Sequence, residues 1–114
     1  AEEKEESASK NKYFLIIQIK VMASIRQLKK EIEFLSSQMI GDCIDFVQTF
    51  NGKEMEAMAV IDEVVALHND TIDKINNPDG KANPKLVQAF YRQLKLNYIT
   101  GINEAYKKLE SLVN

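Results

Sequence analysis

Residues 53–76 read KEMEAMAVIDEVVALHNDTIDKIN, and their apolar members recur every three or four positions. Wound as a helix at about 100° per residue, this stretch gathers Ala57, Met58, Val60, Ile61, Val64, Val65, Leu67, Ile72 and Ile75 on one broad face. Asp62, Glu63, Asn69, Asp70, Asp73 and Lys74 fall on the other. A face about half the circumference wide packs against two helices at once. The chain must therefore supply two more helices, and it has one candidate on each side.

Before it, Ile25, Leu28, Ile32, Leu35, Met39, Cys43, Phe46 and Phe50 keep the three-and-four spacing without a break, a narrow stripe close to a coiled-coil seam. Asn51-Gly52 ends that helix, because both residues tolerate the left-handed conformation of a C-cap. So short a connection turns the next helix back antiparallel. After it, Asn76-Asn77-Pro78-Asp79-Gly80 is a run of turn formers. Asn83-Pro84 restarts a helix, Asn as cap and Pro in the first turn. Val87, Tyr91, Leu94, Tyr98, Ile102, Ala105, Leu109 and Leu112 then form a third stripe, with Gly101 on it as a place for a partner backbone to approach. Gly41 is read as a site of close approach or slight bending within the first helix. The spacing predicts helices over 24–50, 53–76 and 84–112. The fold class is all-α, an up-down-up antiparallel three-helix bundle with a long first helix.

With 114 residues the chain makes one domain, and four Gly and two Pro suit long helices with few turns. The organisation expected is an N-terminal extension over 1–21 and a bundle domain over 22–114, with Met22 read as a translation start. Residues 1–12 are polar and charged. Residues 13–21, YFLIIQIKV, alternate as a strand would, yet Phe14, Ile17 and Val21 also continue the helical spacing into Ile25. A lone strand leaves its ladder groups unpaired, so helix is the expected state. The run is too short to span a bilayer, and the acidic residues before it make a poor signal peptide.

The chemistry is sparse. Net charge is −2, from 15 basic and 17 acidic residues, which sets up no global field for nucleic acid or an anionic membrane. A single cysteine, Cys43, forms no internal disulfide and suits a reducing compartment, so the expected location is cytoplasmic. His68, the one histidine, falls on the apolar face and is read as a structural group bonded to Ser36 or Tyr91 rather than a base or ligand. Asp42 sits at the seam's edge level with Tyr98, whose hydroxyl is a candidate partner for it. Asp45, Asp62 and Glu63 project away from the seam, and no Glu-x-x-His pair accompanies them. No catalytic, cofactor-binding or metal site is assigned, and no enzyme activity is expected.

Phe34, Ile44, Leu96 and Ile99 fit none of the core stripes, with Phe34 and Leu96 nearly opposite theirs. Together with the apolar run 13–21, they raise the odds of a partner surface. The candidate interface residues are Phe14, Ile17, Val21, Phe34 and Leu96; His68, Asp42 and Tyr98 are the candidate buried polar groups. The functional expectation is a small helical protein-interaction or self-association module, a homo-oligomer or a binder of a protein partner. The alternative is a nucleic-acid-binding bundle, using scattered cations such as Lys20, Arg26, Lys29, Lys30, Arg92, Lys95, Lys107 and Lys108.

In SIRQLKKEIEFL, GDCIDF and NNPDGKANPKLV the chain resembles a group of short, uncharacterised bacterial all-helical proteins. The resemblance covers residues 22–114 and leaves 1–21 outside. It implies a helical fold and a bacterial cytosolic setting, and brings no activity, cofactor or partner with it.

Overall fold

The computed structural model describes the backbone of residues 2–78 and 84–113 and the side chains of residues 25–78 and 85–113. Three helices follow in order: α1 (Glu2–Thr49), α2 (Glu54–Asn76) and α3 (Pro84–Ser111). They form the expected three-helix bundle, with no strand among the described residues. The expected start of the first helix at 24 is corrected: α1 begins at Glu2. No Gly or Pro precedes Gly41, so nothing interrupts its backbone. Residues 13–21 are helical within it, although Ile and Val are only moderate helix formers.

Side-chain contacts set the directions. Glu31 pairs with Lys95, and Asp42 with Tyr106, at one constant offset, so α1 and α3 run parallel. Ser36 meets His68, while Ile75 meets Tyr91 and Glu63 meets Lys108, so α2 is antiparallel to both. The same offsets place Pro84 level with Lys20 of α1, and Asn76 level with Leu28. At 1.5 Å per residue, α1 is about 72 Å long, α2 about 35 Å and α3 about 42 Å. The longest dimension of the molecule is 75 Å. Some 27 Å of α1, residues 2–19, thus extends past both partners.

The core is one stripe from each helix: Leu28, Ile32, Met39, Cys43 and Phe46; Ala57, Val60, Val64 and Ile75; Val87, Tyr91, Leu94, Tyr98, Ile102, Ala105 and Leu109. Three expectations need correction. On α1 the buried seam position is Ser36, with Leu35 only partly covered. On α2 the buried face is narrower than its apolar residues: Thr71 is inside, while Met58 is 53% exposed and Val65 is also outside. Phe50 lies just past the end of α1, exposed, its ring 4.8 Å from that of Phe46. The two neighbours of α2 cover less of its circumference than its apolar residues span, so a surplus is left at the edges.

Local chemistry explains the ends. Gly52 carries φ +89° in the α1–α2 turn, the left-handed region that favours glycine. Its amide donates to Glu54 Oε1 at 3.2 Å, and backbone amides hold that carboxyl below its ordinary pKa. Asn77 closes α2 through its backbone and side-chain amides, both donating to Asp73 O. Ile75 O, among the last carbonyls of α2 and without an intrahelical partner, accepts from Tyr91 Oη at 2.9 Å.

The two helical glycines differ. A Cβ at Gly101 would sit 2.6 Å from Leu67 Cδ2, so the close neighbour is a leucine side chain and not the partner backbone that the spacing suggested. At Gly41 nothing lies within 4 Å of the position a Cβ would take, and no close approach is made. Gly41→Ala is therefore expected to stabilise the fold by about 0.5–1 kcal/mol, the helix-propensity gain alone. Gly101→Ala gains less, because Leu67 must move. Urea unfolding midpoints at one protein concentration check the ordering.

Candidate functional site

The polar groups with the fullest set of partners lie where all three helices meet. Ser36 of α1 and Tyr98 of α3 are 4% and 1% exposed, and His68 of α2 is half-buried beside them. Tyr98 Oη donates its one proton to Ile32 O at 3.0 Å. The 2.5 Å contact between Ser36 Oγ and Tyr98 Oη is then a donation from Ser36. That leaves Ser36 Oγ to accept from His68 Nδ1–H, at 3.0 Å. One relay of donors therefore links α2 to α1, α1 to α3, and α3 back to α1. Each member is satisfied, and no buried side-chain polar atom among the described residues lacks a partner.

A serine hydroxyl 3.0 Å from an imidazole also resembles an activated nucleophile. The setting opposes that use. Ser36 Oγ lies beneath three helices, so no substrate atom can approach it without opening the bundle. Its proton is committed to Tyr98, and His68 acts as donor to it rather than acceptor. The arrangement is suited to holding three helices in register.

Asp42 and Tyr98, expected as partners, are not brought together. Tyr98 turns inward to Ile32 and Ser36, and half-buried Asp42 accepts from Tyr106 Oη at 2.7 Å. Burial first, and then the hydrogen bond to Asp42, push the Tyr106 phenol up to about 12. Burial, with Asp42 adding to it, also raises the Cys43 thiol, so the inert state is the thiol. Sequence spacing missed Tyr106 because it falls on the flank of the α3 stripe, one turn beyond Ile102. Its offset from Asp42 equals that of Lys95 from Glu31, a register that only the packing of α1 on α3 reveals. Lys95 donates to Glu31 at 3.0 Å and holds that carboxyl below its usual pKa.

Among the described residues no group of acidic, histidine or cysteine side chains could hold a metal ion. No helix is long and apolar enough to cross a membrane in the segments described. A shallow cleft of about 270 Å³ between α2 and α3 is lined by Lys74, Phe90, Gln93, Leu94 and Asn97. Its one charged group, Lys74, is paired with Asp70 at 2.9 Å.

Of the candidate interface residues, Phe34 is 66% exposed and Leu96 is exposed as well. The α1–α3 offset sets Phe34 level with Tyr98, between Leu96 and Ile99, so these three share the outer face of that helix pair. Phe14, Ile17 and Val21 lie outside the described side chains; their backbone belongs to the part of α1 near and beyond the start of α3. Comparison of the chain with protein-family models, with curated proteins and with solved structures gave no match.

Proposed function

We propose that this protein is a small self-associating helical module with no catalytic role of its own. The observation that carries the reading is the reach of α1. Its apolar run 13–21 is interrupted only by Gln18 and Lys20, and apolar residues occur on every side of the helix there. A helix apolar all round is a buried helix. Yet α3 begins only level with Lys20, and α2 stops level with Leu28. On this reading a second molecule supplies the cover. Burial of several such side chains at about 25 cal/mol per Å² contributes several kcal/mol before association entropy is subtracted.

The self-satisfied Ser36–His68–Tyr98 relay supports a structural rather than a catalytic use of the polar core. The nucleic-acid alternative is weakened because Lys95 and Lys108 are already paired with Glu31 and Glu63. A bacterial cytoplasmic setting is part of the reading, on the resemblance of residues 22–114 and on the reduced, buried Cys43.

Sedimentation velocity tests it. The full chain is expected to self-associate at micromolar concentration, and a chain beginning at Met22 to be monomeric. A full chain that stays monomeric refutes the proposal. An oligomer that survives the truncation moves the interface elsewhere, with the Phe34–Leu96–Ile99 face next in line. Salt-sensitive binding of RNA or DNA at physiological salt would promote the alternative.

A further inference from the structure

Along its α2-side outer flank, α1 carries two apolar residues toward each end and an oppositely charged pair, Arg26 and Glu33, about its middle. We infer that a second copy of this chain covers the overhang, with the two α1 helices antiparallel about a two-fold axis between Lys29 and Lys30. In that arrangement residues 13–21 of each copy lie on the α1/α2 face of the other. The inference rests on the self-association reading and adds its surface and its register.

The receiving face comes from the bundle itself. On α2, Met58, Ile61, Val65 and His68 follow at three-and-four spacing along the flank that His68 turns to α1. Glu63 and Leu67 occupy the opposite flank, toward α3. On α1, Ser36, Ile40, Ile44 and Val47 follow in the same way. The Ser36–His68 contact sets Ile44 level with Val60, between Met58 and Val65. Ile44 is 48% exposed, and Met58 and Val65 are exposed beside it, with Ile40, Val47 and Ile61 partly covered. The result is one uncharged apolar face on the outside of the α1–α2 pair. It is the surplus left by the narrow core stripe of α2.

The register comes from the continuation of that flank along α1. Helical spacing carries it through Ile44, Ile40, Ser37, Glu33, Arg26, Met22, Ile19 and Leu15. A two-fold axis perpendicular to antiparallel helices pairs residues whose numbers have a constant sum. Four pairs of this flank fall level at one such sum. At this sum Leu15 lies level with Ile44, Ile19 with Ile40, Met22 with Ser37, and Arg26 with Glu33. The ion pair occurs twice, once on each side of the axis. Arg26 and Glu33 are exposed, and neither has an ion pair within the chain among the described residues. Lys29 and Lys30 flank the stripe on either side at the axis, where long side chains keep their ammonium groups in water. Residues 13–21 fall alongside residues 38–46 of the other copy, so apolar helix meets apolar face. At this register the 48-residue helices overlap over most of their length, which a bundle-to-bundle contact alone would not achieve.

Charge reversal in the full-length chain tests the register. Arg26→Glu and Glu33→Arg are each expected to raise the dimer Kd by about tenfold or more, since each sets like charges opposite one another twice. The double variant R26E/E33R is expected to return to within about threefold of the unsubstituted chain. Rescue cannot arise within one chain, because the two positions are seven residues apart, about 10 Å along the helix. Both sites are exposed, and circular dichroism confirms that each variant folds. Single reversals without effect, or a double variant that fails to recover, overturn this register while leaving self-association standing. A full chain that is monomeric at every concentration overturns both.

Discussion

Tyr98→Ala is expected to lower the unfolding free energy by about 3–5 kcal/mol, and Tyr98→Phe by only about 1 kcal/mol. The ring is 1% exposed at the junction of the three helices, among the largest fully buried side chains. Truncation to alanine removes its contacts and leaves a cavity that three rigid helices cannot close. A loss of that size is a large share of the roughly 5–15 kcal/mol that stabilises a domain. Removal of the hydroxyl alone is mild for a specific reason. Ser36 loses Tyr98 as acceptor but retains two others. It can rotate to Ile32 O, four residues back and released by the same substitution, or donate to His68 Nδ1 after a tautomer change. Tyr98→Phe should therefore cost more in a His68→Ala background than in the unsubstituted chain. Urea unfolding at fixed protein concentration measures all three. A Tyr98→Phe loss as large as that of Tyr98→Ala would show that the hydroxyl relay, not ring packing, holds the junction.

The second large effect is alkaline destabilisation. Burial raises the phenols of Tyr91 and Tyr98, and burial with the Asp42 hydrogen bond raises Tyr106 to about 12. The folded state keeps these protons at pH values where the unfolded chain has begun to release them at about pH 10. Above that pH the unfolded state binds fewer protons than the folded one, so stability falls as pH rises. The contribution is intact below pH 10 and is lost between pH 10 and about 12 for Tyr106. A two-unit shift corresponds to about 2.7 kcal/mol, reduced to about 1–2 kcal/mol because the hydroxyl is only partly shielded from water. Cys43 acts in the same direction, its thiol raised by burial and by the nearby Asp42. The useful readout is the difference between the unsubstituted chain and Tyr106→Phe. The gap between their stabilities should close as pH rises from 10 to 12. A gap that stays constant would mean that the hydrogen bond to Asp42 is not the one that matters.

The two kinds of site residue differ in how they could be read. The sequence places His68 beside Ser36 or Tyr91, and Ser36 is the one it meets, because the four-residue turn between α1 and α2 leaves little freedom in their register. The spacing places Asp42 level with Tyr98, whereas in the structure its partner is Tyr106. The second connection, from α2 to α3, is a longer run of turn formers that includes Pro78, and its path sets the α3 register. Spacing within α3 cannot supply that path. An error of one helical turn exchanges one tyrosine for another.

The sequence by itself determined three helices, their ends at Gly52, Asn77 and Pro84, and the α3 core stripe, because periodicity and turn chemistry are local. Only the tertiary structure decided which apolar residues of α1 and α2 are surplus. Met58 and Val65 look like core in a helical projection, since a projection shows width and not how many neighbours arrive. With two neighbours for each helix, the extra width of α2 remains outside and, with the overhang of α1, becomes a surface. The burial of Ser36 in place of Leu35 has the same origin: a hydroxyl can sit in the seam only where helices from elsewhere in the chain bring it a histidine and a tyrosine.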